Sequence, residues 1–248
     1  MTANLNDPVT DVVLEPALYL IPVELGDTAW ERVLPSYNRE VILGIRHFIV
    51  EEVRSARRFL KRICRDIDID ALTFYPMGKH AEANRFASYL RPLEQGEPMG
   101  VISEAGCPAV ADPGADVVAI AQRRGLKVVP LVGPSSMIMA VMASGLNGQS
   151  FAFCGYLPID PGERVHRLKQ LETRARQEHQ TQLFIETPFR NHKLFDTLCQ
   201  TLAPQTRLCV AAGITTTDEW IRTRTVAEWR RTPLPDLSKT PAIFLIGV

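Results

Sequence analysis

Two carboxylates and a guanidinium stand where a short apolar run ends. His47-Phe-Ile-Val50 is followed by Glu51, Glu52 and Arg54. A carboxylate pair with an arginine at the carboxyl end of a strand suits acid/base work or the holding of a substrate. The same residues also fit an ion pair at a helix start, where the dipole favours Glu. The cations then continue, with Arg54, Arg57, Arg58, Lys61, Arg62 and Arg65 falling within twelve residues and no acid between them. At helical spacing, residues 54, 58, 61, 62 and 65 share one face, while Phe59, Leu60, Ile63 and Ile67 lie toward the other. Such a stripe repels itself unless an anion covers it, which makes Arg54, Arg58 and Arg62 candidates for contact with a phosphate backbone. A solvated helix face is the alternative. Two turns of small residues complete the set: Ser103-Glu104-Ala105-Gly106-Cys107 and Gly133-Pro134-Ser135-Ser136-Met137. Gly106 and Gly133 lack a Cβ, so each turn lets a ligand approach the backbone closely.

The elements that must position these residues follow from the apolar runs between them. Met99–Ser103 reads as a strand, Glu104–Pro108 and Asp112-Pro-Gly114 as turns, Ala115–Arg124 as a helix stopped by Gly125, and Leu126–Leu131 as the next strand. Strand, turn, helix, strand is a βαβ unit whose parallel strands need a crossover. Open α/β sheets bind ligands outside the carboxyl ends of their strands, which is where both turns fall. Ala17–Ile21 is the first strand, short and wholly apolar as in a buried parallel sheet. A helical stretch over 28–45 is broken by Pro35, Asp70–Tyr75 is a strand, and a helix runs from about Ala83 to Pro92. Strand patterning restarts at Phe151 after a small-residue helix, Ile138–Ser144. A helix opens at Pro161-Gly-Glu-Arg164 as a surface helix, and strands follow near Thr181–Glu186, Arg207–Gly213, Trp220–Val226 and Ala242–Gly247. The chain thus divides into a loose leader over 1–16, an N-terminal α/β domain over 17–136 and a C-terminal α/β domain over 137–248.

Composition narrows the function classes. A chain of 248 residues with 28 basic and 28 acidic side chains has room for a sizeable core and no global field to attract nucleic acid, so any RNA contact must be local. No Lys or Arg precedes Arg32, and a segment without a basic start is not a secretory signal. No apolar run approaches the roughly 20 residues of a membrane span. Five widely spaced cysteines fit neither a disulfide framework nor a zinc site, which points to a reducing cytoplasm and no metal. Neither G-x-G-x-x-G nor a Walker lysine is present, so a ligand held at these turns depends little on phosphate.

The motifs also resemble a family. Ser103-Glu-Ala-Gly-Cys-Pro, Ala111-Asp-Pro-Gly and Pro130-Leu-Val-Gly-Pro-Ser-Ser are similar to the S-D-A-G-x-P, D-P-G and P-x-P-G-P-S/C-A motifs of the tetrapyrrole-methylase superfamily, in order and without a gap. The nearest branch by these motifs is the ribosomal RNA small-subunit methyltransferase I family, which methylates a ribose 2′-oxygen. The resemblance implies two α/β domains with S-adenosyl-L-methionine (SAM) in the cleft between them, a homodimer, and RNA of the small ribosomal subunit as substrate. It implies cofactor contacts at Pro22, at Ser103–Cys107 with Glu104 in the place of an aspartate, at Gly133–Met137 and at Ala212. Phe48 to Arg54 resembles a strand ending in A-E-D-T-R, so Glu51 and Arg54 match. His80 and Glu82 fall on an H-x-H-N-E motif, of which Gly78 and Ala81 depart. Glu186 and Arg190 match Y-E-S-x-H-R. By this likeness Glu51, His80 and Glu186 are the candidate general bases, and Glu82 and Arg190 join the arginines as substrate contacts. The sequence departs at Pro22-Val-Glu-Leu, where P-I-G-N-L is usual, and at Ala212-Gly-Ile-Thr, where an Arg-Glu-Lys set is usual. A methyltransferase acting on a small molecule such as a tetrapyrrole, or a catalytically weak binding relative, are the alternatives.

Overall fold

Runs of four apolar residues, too short for helices and bounded by turn residues, become the strands of a buried parallel sheet. The computed structural model describes residues 13–77 and 83–248. By internal contacts the chain separates into two units, one ending at Pro134 and the other spanning Ser135–Val248.

The first unit is built on β1 (Leu18–Ile21), β2 (His47–Val50), β3 (Thr73–Pro76), β4 (Met99–Ile102) and β5 (Val128–Pro130). All pair in parallel in the order β3-β2-β4-β1-β5, with Ile21 opposite Ile102 and Val50 opposite Ile102 at the carboxyl edge. The chain leaves β1 in one direction, through α1 (Ser36–Leu43) to β2 and α2 (Val53–Ile63) to β3. It returns through α3 (Ala83–Tyr89), α4 (Arg91–Glu94), β4 and α5 (Gly114–Arg123) to β5 on the far side of β1. Right-handed crossovers in opposite directions put helices on both faces. One core gathers Trp30, Val41, Ile42, Phe59, Leu60 and Ile63; the other gathers Phe86, Leu90, Leu93, Val117 and Ala121. Each fully buried large aliphatic or aromatic side chain contributes ~1.5–3 kcal/mol.

The second unit starts with α6 (Ser136–Ser144) and carries β6 (Phe151–Tyr156), α7 (Pro161–Gln177), β7 (Thr181–Glu186), α8 (Asn191–Thr201), β8 (Arg207–Ala212), β9 (Trp220–Thr225), α9 (Val226–Trp229) and β10 (Ala242–Gly247). Its sheet runs β6-β7-β10-β8-β9, with only β6 and β7 parallel. Leu168 and Leu171 of α7, Leu194 and Leu198 of α8, and Trp229 close its core over Phe184 and Phe244. Among the described residues no helix is long and apolar enough to cross a membrane.

Several boundaries differ from the sequence reading, each for a local reason. The stretch 28–45 yields only a turn at Trp30–Arg32 and then α1, because Pro35 is the N-cap. The expected helix over 83–92 is two, since Pro92 suits the first turn of α4 and not a helix interior. The strand expected to reach Val226 stops at Thr225, where Thr225 and Glu228 form a capping box that starts α9. Arg164, expected on the surface, is buried and donates to the carbonyls of Pro158 and Ile159 at 2.9 and 2.8 Å. Glu15, assigned to the leader, pairs with Lys127 beside β5.

Trp229 is the keystone of the second core, donating its indole N–H to the Leu208 carbonyl at 2.8 Å and meeting Phe195 edge-on at 5.4 Å. Trp229→Phe removes that hydrogen bond and part of the packing volume. The expected loss is about 1–3 kcal/mol, read as a lower urea midpoint at unchanged slope.

Candidate functional site

Parallel pairing brings the residues that follow β1, β2, β4 and β5 to one edge of the first sheet, and three turns there interlock. After β1, the Val23 N–H donates to the Gly106 carbonyl at 3.0 Å, an isolated bridge to the turn after β4. The Cys107 thiol donates to the Pro134 carbonyl at 3.4 Å, joining that turn to the one after β5. The buried Ser103 hydroxyl faces the carbonyls of Ala105 and Gly106 at 3.4 Å each. Gly106 has φ +70, a left-handed backbone that explains the glycine without a ligand. Gly133 needs its small size for a different reason from the one the sequence suggested. A Cβ there would stand 2.2 Å from Pro22 Cβ and 3.2 Å from Leu34, so Pro22 and not a ligand fills the space. At Gly106 a Cβ would likewise meet Leu25 at 3.0 Å and the Pro134 carbonyl at 3.2 Å. The glycines serve the closeness of the turns, while Glu104, Ala105 and Val132 face solvent.

The two glutamates after β2 have different environments. Glu52 caps α2, accepting from the backbone N–H groups of Arg54 at 2.9 Å and Ser55 at 2.7 Å, and these bonds hold its carboxyl below the usual range. Glu51 is half-buried, and its pKa rises to about 7. Desolvation is the main cause, followed by the charges of Asp112 and Glu104; the Glu104 backbone N–H opposes the rise. Glu104 in turn accepts the Ser55 hydroxyl at 2.5 Å. Asp112 accepts from Ala109 N through both oxygens at 2.9 Å and from Gly114 N at 2.7 Å, and burial pushes its carboxyl upward. Those bonds pin a loop in which Ala109 and Ala111 adopt φ +65 and +62. Ser55 and Asp112 were not singled out as site residues. The Asp-Pro-Gly turn signalled Asp112; nothing in the sequence signalled Ser55.

The cationic stripe is partly committed. Arg57 pairs with Asp70 at 2.9 Å, and Lys61 donates to the carbonyls of Arg65 and Ile67, ending α2 at Ile63. Arg62, expected to contact substrate, pairs instead with Glu24 at 3.2 Å. Among the described residues Arg54, Arg58 and Arg65 make no ion pair. Arg54 and Arg58 line an open groove of about 920 Å³ whose lining also includes Asp66, Asp68 and Asp70.

In the second unit, Ser135 is the N-cap of α6 without a side-chain cap bond, and neither it nor Ser136 commits its hydroxyl to a described residue. Met137 is half-buried beside them. Ala212 ends β8, opposite Ala242. Glu186 and Arg190, expected as a base and a substrate contact, are each other's partners. The buried Glu186 Oε1 accepts from Arg190 at 2.7 and 3.0 Å and from Thr187 N at 2.7 Å. His80 and Glu82 lie outside the described residues. No group of three His, Cys, Asp or Glu among the described residues is arranged to hold a metal.

A doubly wound parallel unit is thus followed by a mixed-sheet unit. The fold is that of the crystal structure of the methyltransferase CobJ, at a TM-score of 0.61 and 16% identity over 93% of each chain. Residues 31–229 match the family model of Tetrapyrrole (Corrin/Porphyrin) Methylases, and the chain belongs to that family of SAM-dependent methyltransferases. It is 31% identical over 215 residues to the ribosomal RNA small subunit methyltransferase I of Mesorhizobium japonicum, covering 86% of this chain and 68% of that one. The protein of the same name from Vibrio cholerae is 29% identical over 215 residues, covering 86% and 70%.

Gly133→Ala should therefore act on the fold, because its methyl collides with Pro22. A destabilisation of about 1–3 kcal/mol is expected by urea denaturation. An unchanged midpoint would mean that the space beside Gly133 is open.

Proposed function

We propose that the protein transfers the methyl group of SAM to a ribose hydroxyl of RNA, with Glu51 as proton acceptor and Arg54 and Arg58 on the flanking phosphates. The observation that carries this is the junction of β2 and α2, where a carboxyl with a pKa of about 7 stands three residues from the first of two arginines with no ion-pair partner among the described residues. The curated relatives named for ribosomal RNA of the small subunit support the same substrate.

The residues suit the cofactor. Glu104 and Ala105 are exposed and Val132 offers apolar surface in the first unit, while in the second unit Ser135 and Ser136 have hydroxyls with no described partner beside Met137. Adenosine and a methionine tail need that combination. When bound, SAM supplies a methyl group on a sulfonium, open to in-line attack. The chain's own task is alignment, for which positioning alone can supply ~7–11 kcal/mol. Glu51 would take the hydroxyl proton onto a carboxylate oxygen as the ribose oxygen accepts the methyl group. A base matched to the working pH contributes ~10²–10⁴ in rate. Desolvation, with the charges of Asp112 and Glu104, raises Glu51 into that range, and the same three acids would repel a tetrapyrrole bearing several carboxylates.

Two outcomes test this reading. On small ribosomal subunits with labelled SAM, log kcat/KM should climb with pH and level off above about 7. Glu51→Gln should remove the climb and lower the rate by ~10²–10⁴. The sign for stability is opposite. The folded carboxyl binds its proton more tightly than the unfolded one at 4.5, so stability falls as pH rises from there through about 7. The Gln variant should then be the more stable protein at pH 8. Equal incorporation by the variant, or methylation of porphyrinogens alone, would reject the reading.

Neutralising Arg54, Arg58 and Arg65 together should lower the salt slope of RNA binding by about one unit for each phosphate no longer engaged. Affinity for S-adenosylhomocysteine, measured by calorimetry, should stay as it was. An unchanged slope would make the stripe a solvated face.

A further inference from the structure

We propose that Arg62 is a positioning residue: through its ion pair with Glu24 it fixes the loop after β1, and through that loop the turns after β4 and β5. The link to catalysis rests on the reading that those turns hold the cofactor.

Glu24 is a carboxylate in a place with little to support it. Its side chain is 2% exposed, one oxygen lies 3.2 Å from Arg62 Nη2, and the other, Oε1, is buried with no hydrogen-bond partner among the described residues. Arg62 is thus the one cation that any described contact gives it, and removing one partner of such a pair leaves an uncompensated buried charge. The arginine is the opposite case, with a side chain 56% exposed and well able to stand in water alone. Dependence in this pair therefore runs one way.

The neighbours of Glu24 are what give the pair reach. Pro22 occupies the space beside Gly133, Val23 donates to the Gly106 carbonyl at 3.0 Å, and Leu25 packs where a Gly106 side chain would go. Residue 24 sits between the two that touch Gly106. If its side chain is driven out to find water, Val23 and Leu25 must move, and the turn carrying Glu104 and Cys107 loses its brace. The same geometry argues against the role that the cationic stripe suggests for Arg62. A phosphate that captured this guanidinium would strip Glu24 of its partner, whereas Arg54, Arg58 and Arg65 can turn to an anion without stranding an acid.

The test compares Arg62→Met, Arg62→Lys, Glu24→Gln and the double variant Glu24→Gln/Arg62→Met. Four readouts are used: calorimetry with S-adenosylhomocysteine, amide exchange at Val23, the salt slope of RNA binding, and the thermal midpoint. Arg62→Met should weaken the S-adenosylhomocysteine complex by about tenfold or more and speed Val23 exchange, because the buried charge is then unpaired. Arg62→Lys should recover most of both, and the double variant should recover them too, since a neutral amide needs no cation. Glu24→Gln alone should leave both near the wild-type values. The salt slope should not change in any of them. If Arg62→Met fails to fold, the double variant should fold and bind. The proposal is overturned if Arg62→Met alters only the salt slope, if the double variant is as impaired as Arg62→Met, or if the thermal midpoint drops while Val23 exchange in the folded protein is unaltered. Val23 exchange needs no ligand. Failure of the wild type to bind S-adenosylhomocysteine would therefore reject the cofactor reading, while exchange at Val23 would still decide the role of Arg62.

Discussion

Strands β1 and β4 lie side by side in parallel, and the chain leaves their carboxyl ends in opposite directions. That constraint shapes the first unit. Crossovers that diverge cannot fill the gap between the two strand ends, so short turns must meet there and brace one another. The Val23–Gly106 bridge, the Cys107–Pro134 contact and the seat of Pro22 on Gly133 are how this sequence meets that demand. Because β2 is the other neighbour of β4, the same arrangement sets the end of β2 against the turn that carries Glu104.

Four carboxylates gather around that edge, and their surroundings sort them. Glu52 is held ionised by backbone N–H groups at the start of a helix, Glu104 accepts the Ser55 hydroxyl, and Asp112 is occupied with its own loop. Glu51 is desolvated and faces the charges of Asp112 and Glu104, so its carboxyl is pushed up to about 7. Neighbouring acids with unequal environments are a common means of making a proton acceptor work near neutrality.

The strands and the βαβ unit were legible because buried parallel strands are apolar throughout and their boundaries are Gly/Pro turns. That these turns share one edge was legible from topology, since the carboxyl ends of parallel strands meet there whatever the side chains do. What each charged group does was less so. Glu51 and Glu52 are adjacent and chemically alike, and only the cap geometry separates them. Arg62 and Arg58 look equivalent on a helical wheel, yet one meets a carboxylate from a loop 38 positions earlier. The spacing of Glu186 and Arg190 suggests two functions, but an i, i+4 pair after a strand can close on itself, and here it does. Gly133 shows the limit most plainly. A missing side chain says that something comes close, and the sequence does not say whether that is ligand or protein.

The loop between β4 and α5 holds two alanines in left-handed backbone around an exposed Val110, against the three hydrogen bonds of Asp112. For a residue with a Cβ that conformation costs roughly 1–2 kcal/mol, and glycine at either place would relieve it. Glycine would also give the unfolded and loosened chain more conformations to wander through. The alanines therefore trade comfort for shape memory. A loop that is uncomfortable in its one conformation, but poor in alternatives, returns to that conformation after each disturbance. The contour of this loop is kept by that means, without any added contact.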